Sequence, residues 1–167
     1  MRTKRTLSMA AALALAGFAA LADDQVKHNA QDFATRAVIA NMFEVEAADV
    51  EVKKGKDGKA VKFATDMLND HGKAGPELRA AAKQDGVAVP AVVDADHKAK
   101  IDALKASDAT NLDQAYLSTQ LTAHQDAVAL FEGYAKSGPE GHLRNVASRI
   151  LPDLRAHLVR VQGMTSK

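Results

Sequence analysis

Apolar residues recur at helical spacing along most of this chain, in four long stretches separated by clusters of glycine, proline and charge. The first stretch runs from about Gln31 to Lys53, with Phe33, Ala37, Ala40 and Ala47 on one stripe and with Asn29 and Asp32 spaced as a cap and its N3 partner. Lys54-Gly55-Lys56-Asp57-Gly58 reads as a turn short enough to make the next helix an antiparallel neighbour. That helix, about Lys59 to Gln84, carries Ala60, Phe63, Met67, Ala74, Leu78 and Ala81 on one face. Gly75-Pro76 lies inside it and predicts a kink, because Pro76 cannot donate to the carbonyl of Gly72. Residues 85–107 break the rhythm with Gly86 and Pro90 and hold one short helical piece around His97 to Leu104. The third stretch starts at Ser107 or Asn111 and reaches Tyr134, with Leu112, Tyr116, Ala123, Ala127, Leu130 and Phe131 on its face. Glu140 to Gln162 forms the fourth, with Leu143, Ala147, Ile150, Leu151, Leu154, Leu158 and Val161 inward and Pro152 imposing a local bend.

Two hairpins joined by a long crossover that contains a short helix predict an all-α, ferritin-like four-helix bundle. Abundant alanine and few aromatics favour closely packed helices over a sheet. The chain has no cysteine, so its stability comes from packing, and thiol chemistry is excluded.

The first 22 residues read as a cleavable signal peptide. Arg2, Lys4 and Arg5 precede a short apolar run from Ser8 to Leu21, and Ala20-Leu21-Ala22 supplies the small-x-small cleavage pattern. Residues 23–167 then form one helical domain, expected in the periplasm, free or peripherally attached to the envelope, with no transmembrane segment. Cleavage removes three positive charges and no acid, which moves the formal charge from +1 to −2. A surface so close to neutral offers nothing to nucleic acid or to anionic lipid.

Polar residues interrupt the apolar faces in one informative way. Glu44, His71, His124 and His157 each fall on the inward face of a different long helix. At 1.5 Å per residue, Glu44 and His71 lie about 16 and 24 Å from the first turn, and His124 and His157 about 21 and 28 Å from the turn near Gly138. Their levels match closely enough to converge. Buried charges and imidazoles must pair with one another or hold a metal, and this sequence leaves both readings open. A metal set would be Glu44, His71, His124 and His157 around one divalent transition-metal ion, namely zinc, iron, manganese or copper. Asp70, Gln120 and Asp153 are placed to support the imidazoles from behind, with Asp153 one turn before His157. His28, His97 and His142 fall near ends or in the crossover and are expected at the surface. A carboxylate-rich diiron site is disfavoured, since Leu68 and Leu154 stand three residues before His71 and His157 where glutamate would be required. Serine nucleophiles with an evident base, phosphate loops and a haem site at Met67 likewise have nothing positive in their favour.

Four segments carry a family resemblance: Phe43-Glu44-Val45-Glu46; Phe63-Ala64-Thr65-Asp66-Met67 with Asn69-Asp70-His71; Leu112-Asp113-Gln114-Ala115-Tyr116 with Ala123-His124; and Leu151-Pro152-Asp153-Leu154-Arg155-Ala156-His157-Leu158. Together they resemble a family of exported bacterial proteins of unknown function, often labelled predicted outer membrane proteins and grouped with ferritin-like folds. The resemblance covers about Gln31 to Gln162 and implies fold and compartment more than activity. Gly75-Pro76 departs from its more regular second helix. A barrel would need many alternating strands, and the residues offer none.

The functional expectation is therefore a non-enzymatic exported bundle that binds a metal in envelope stress or homeostasis. Its alternative is a metal-free periplasmic interaction module whose buried Glu and His residues form a hydrogen-bond network. Protons compete with metal for ordinary imidazole, so binding is expected to weaken toward a pH of about 6.

Overall fold

The computed structural model describes the backbone of residues 11–166 and the side chains of residues 29–166. The leader expected over residues 1–22 falls outside the described residues for residues 1–10 and for every side chain. Five helices make up the structure: α1 (Ala11–Lys54), α2 (Gly58–Gln84), α3 (Ala95–Ala106), α4 (Leu112–Ser137) and α5 (His142–Thr165). No strand occurs among the described residues. None of the described helices is long and apolar enough to cross a membrane.

Boundaries follow local chemistry. Asp57 caps α2 by accepting from the Lys59 and Ala60 amides at 2.7 and 3.0 Å, and Asp94 caps α3 by accepting from the His97 amide at 2.8 Å. The expected cap at Asn29 does not form, because α1 already runs through that point from Ala11. Both internal prolines are absorbed without ending their helices. Gly72 and Ser148, four residues before Pro76 and Pro152, are exposed, so the carbonyls that lose a donor face water instead of the core.

α1 packs chiefly on α2 and α4 on α5, while α1–α4 and α2–α5 contacts close the square. Residues 85–111 travel the length of the bundle. At one end Asp85, just past α2, accepts from the His142 and Leu143 amides at 3.0 and 2.8 Å and so caps α5, whose own cap residue Gly141 has no side chain to offer. A Cβ on Gly141 would stand 2.8 Å from the Asp85 carboxylate, so glycine is what permits the approach. At the other end the Lys56 amide donates to Asp113 at 2.8 Å, and Lys54 reaches the carbonyls of Lys105 and Ser107. Thus α1 and α5 run one way and α2 and α4 the other. α3 lies against α1 and α4, with Ile101 and Leu104 buried.

The apolar core is divided. One cluster gathers Phe33, Val38, Leu78, Phe131, Tyr134 and Leu143, and a second gathers Phe43, Phe63, Met67, Leu112, Tyr116 and Val161. Between them, on all four long helices, lies a buried polar layer of Asn41, Glu44, His71, Gln120, His124 and His157.

Candidate metal centre

The polar layer brings three of the expected residues together. His71 of α2, His124 of α4 and His157 of α5 have ring centroids 5.8, 5.7 and 5.4 Å apart. One ligating nitrogen from each ring lies within 4.8 Å of the other two. That bound encloses the roughly 3.4 Å separation of nitrogens around a tetrahedral ion with 2.0–2.1 Å bonds. The apolar faces force the meeting. Phe63 and Met67 before His71, Phe131 after His124, and Leu154 and Val161 around His157 are all buried, so the imidazoles at the same helical phase must turn inward.

Each imidazole is held by its other nitrogen. His71 donates from Nδ1 to Asn41 Oδ1 at 3.2 Å, His124 from Nδ1 to the Gln120 carbonyl at 3.0 Å, and His157 from Nε2 to Asp70 Oδ2 at 3.1 Å. All three partners only accept, so in the neutral rings the proton sits on the bonded nitrogen and the lone pair on the opposite one. Those opposite nitrogens, His71 Nε2, His124 Nε2 and His157 Nδ1, are buried and have no hydrogen-bond partner. Three buried lone pairs with no donor among them are the kind of set that can hold a cation. Burial, reinforced by the neighbouring rings, lowers His71 to a pKa of about 3. Burial and His124 also lower His157, against the opposing pull of Asp70.

Glu44 stands apart from this group. Its carboxylate is 4 % exposed and lies 3.7 Å from His124 Nδ1, the nitrogen already bonded to the Gln120 carbonyl, and it does not join the converging nitrogens. Burial raises its pKa, with the His124 ring and the Gln120 amide pulling the other way. Gln120 supports the site through its backbone carbonyl; its side-chain amide is buried beside Glu44 without a hydrogen bond of normal geometry. Asp70 supports His157 as the sequence suggested. Asp153 does not: it is exposed and lines a cleft near His157, while the imidazole bonds Asp70 on α2 instead. His142 is a surface residue paired with Asp85, whereas His97 is only partly exposed and packs its ring on Phe43.

Two buried polar residues of α1, one in the layer and one beyond it, escaped the sequence reading. Asn41 orients His71, and a Cβ on Gly75 would approach its amide nitrogen to 2.7 Å, so Gly75 makes room for the residue that holds the ligand. Glu51, one turn from the end of α1, is fully buried with neither carboxylate oxygen bonded. Burial, then the adjacent Asp113 carboxyl, push Glu51 up to about 8. Both share the inward face of α1 with Glu44, at offsets of −3 and +7, a spacing that could have flagged them.

Solved structures share this fold. A fragment of a DUF305 protein from Deinococcus radiodurans superposes with a TM-score of 0.71 at 14% identity, covering 83% of this chain and 95% of that one. A putative secreted DUF305 protein from Streptomyces coelicolor gives 0.67 at 14% identity, covering 81% and 89%. No curated protein matches the chain in sequence. The model of one family matches residues 16–164, nearly the whole length, and the chain belongs to that family, the domain of unknown function DUF4142.

Proposed function

We propose that this protein is an exported, ferritin-like bundle that binds one divalent transition-metal ion through His71, His124 and His157. The observation that carries the reading is the pairing of three tethered imidazoles with three buried, partnerless ring nitrogens. A bare hydrogen-bond network, the competing reading, would leave those nitrogens unsatisfied at a cost of about 1–3 kcal/mol each. Asn41, the Gln120 carbonyl and Asp70 fix the tautomers and raise the basicity of the ligands. With Glu44 behind His124, the donor set is all nitrogen, which suits zinc, copper or iron better than manganese. The leader-like residues 1–22 support a periplasmic setting, and a putative secreted protein among the structural neighbours agrees with it. The role we assign is metal binding in the cell envelope rather than catalysis.

Metal analysis of the protein purified without a histidine tag tests this directly. We expect close to one zinc or copper ion per chain after equilibration and dialysis, falling to background in His71→Ala and His124→Ala. Wild-type protein that takes up no more metal than either variant would overturn the reading.

A further inference from the structure

Beside the histidines a cleft of about 270 Å³ opens between α2 and α5. His71 and His157 form part of its wall, whereas His124 does not reach it. Lys73, Ala74, Arg149 and Asp153 line the rest of the passage to solvent. On the far side His124 is fully enclosed, with Glu44 at its back. Among the described residues no fourth histidine, cysteine or carboxylate comes close enough to the three nitrogens to complete a tetrahedral set. Three ligands on one triangular face leave a fourth position, and the cleft is the side from which a ligand can arrive.

Charge decides what kind of ligand that is. Imidazole ligates a metal as a neutral donor, so a divalent ion would bring two positive charges into a buried layer, with Asp70 already engaged by His157. Glu77, which also lines the cleft, is tied to Arg149 at 2.7 Å, and Lys73 and Asp153, both unpaired among the described residues, offset each other, so the lining itself supplies no charge to balance the ion. An anionic donor therefore offsets charge that the protein leaves uncompensated. The volume admits a small anion with several waters and is far below what a folded partner needs.

Resting on the metal reading above, we propose that the cleft is the access route to an exchangeable fourth coordination position, which takes a small anionic ligand from solution. The fourth ligand is supplied from outside the chain, and the site is open rather than structurally closed.

Cobalt(II) and azide test the proposal, read by the visible spectrum of the cobalt-loaded protein. Azide should change the spectrum saturably in the wild type. Ala74→Leu, which narrows the passage, should slow azide association at least ten-fold in rapid mixing, and the exposed charge reversal Lys73→Glu about three-fold, both with cobalt uptake unchanged. A stoichiometrically loaded wild type whose spectrum ignores azide would overturn the open position while leaving the metal site standing. An undiminished azide association rate in both variants would overturn the cleft as the route. Absence of cobalt uptake by the wild type would remove the metal reading itself, and this inference with it.

Discussion

The layer around Phe33 and the layer around His71 are built on the same four helices, and both are buried, yet they are held in different ways. In the first, Phe33 stacks on Tyr134 with centroids 3.8 Å apart and meets Phe131 edge-on at 5.2 Å. Alanines on α1, α2 and α5 let the helices close around those rings. Dispersion and removal of apolar area from water account for that layer, and it is complete within the chain. The second layer has ring nitrogens of three histidines, one Glu44 oxygen and both side-chain amide atoms of Gln120 without partners. What the contrast teaches is that one core region is satisfied by the chain's own side chains, while the other buries polar atoms that the chain leaves unpaired, the atoms on which the proposed metal reading rests.

Substitutions separate the two. Phe33→Ala should cost about 3–5 kcal/mol in urea unfolding, the loss expected when a large buried ring leaves a cavity, and the cost should be the same with and without zinc. A zinc-dependent loss there would mean the layers are coupled. His124→Ala should cost about 1–3 kcal/mol in metal-free protein and should also abolish the rise in melting temperature that zinc is expected to give the wild type. For the wild type that rise corresponds to about 2.7 kcal/mol at a free metal concentration of one hundred times Kd. If zinc stabilises His71→Ala and His124→Ala as much as it stabilises the wild type, the polar layer is not a ligand set. His97→Ala, on the crossover, should leave metal occupancy as it was.

Gly75→Ala sharpens the comparison from outside the ligand set. Its new Cβ would press on the Asn41 amide, and loss of that tether should weaken metal binding about ten-fold. Gly133→Ala, where nothing lies within 4 Å of the added atom, should instead stabilise α4 by about 0.5–1 kcal/mol and leave metal affinity alone. Equal effects of the two substitutions, measured by metal titration, would break the link from Gly75 through Asn41 to His71.

The comparison extends to pH, where two buried groups act in opposite senses. His71 titrates near its ordinary 6.5 when unfolded and at about 3 when folded, so the folded state binds fewer protons between those values. Its contribution to stability is present above 6.5 and lost as the pH falls toward 3. Glu51 loses its proton near 4.5 unfolded but keeps it up to about 8 folded, so its contribution is full below 4.5 and lost as the pH rises through 8. Urea unfolding between pH 6.5 and 8 isolates Glu51: the wild type should lose stability across that window relative to Glu51→Gln, and parallel curves would refute the assignment. The depressed value of His71 also bears on its competition between proton and metal. Protons compete poorly for a nitrogen they bind so weakly, so that ligand should hold its metal well below pH 6 in a pH titration of bound zinc.

Much of the bundle was legible because period and punctuation agreed. The apolar phase of α2, α4 and α5 and the glycine-rich turn at residues 54–58 predicted the hairpins, and the broken rhythm of 85–107 predicted the crossover. Local rules misled where context overrode them. Asn29 looked like a cap but lies inside a continuing helix. Asp153 shows the same limit at the site. Its spacing from His157 was right for a helical pair, but the imidazole points toward α2, where Asp70 is available.

By itself, the amino-acid sequence determined which faces are apolar and that histidines interrupt three of them, because helical period translates directly into burial. Only the tertiary structure decided that the three rings turn one nitrogen each toward a common point, that Glu44 stands behind His124, and that Asn41 and Gly75 belong to the same assembly. Those facts depend on the rotation and axial offset of helices far apart in sequence. Shifts of an ångström or two settle whether a side chain ligates, supports or merely neighbours, and no residue spacing along one helix encodes them.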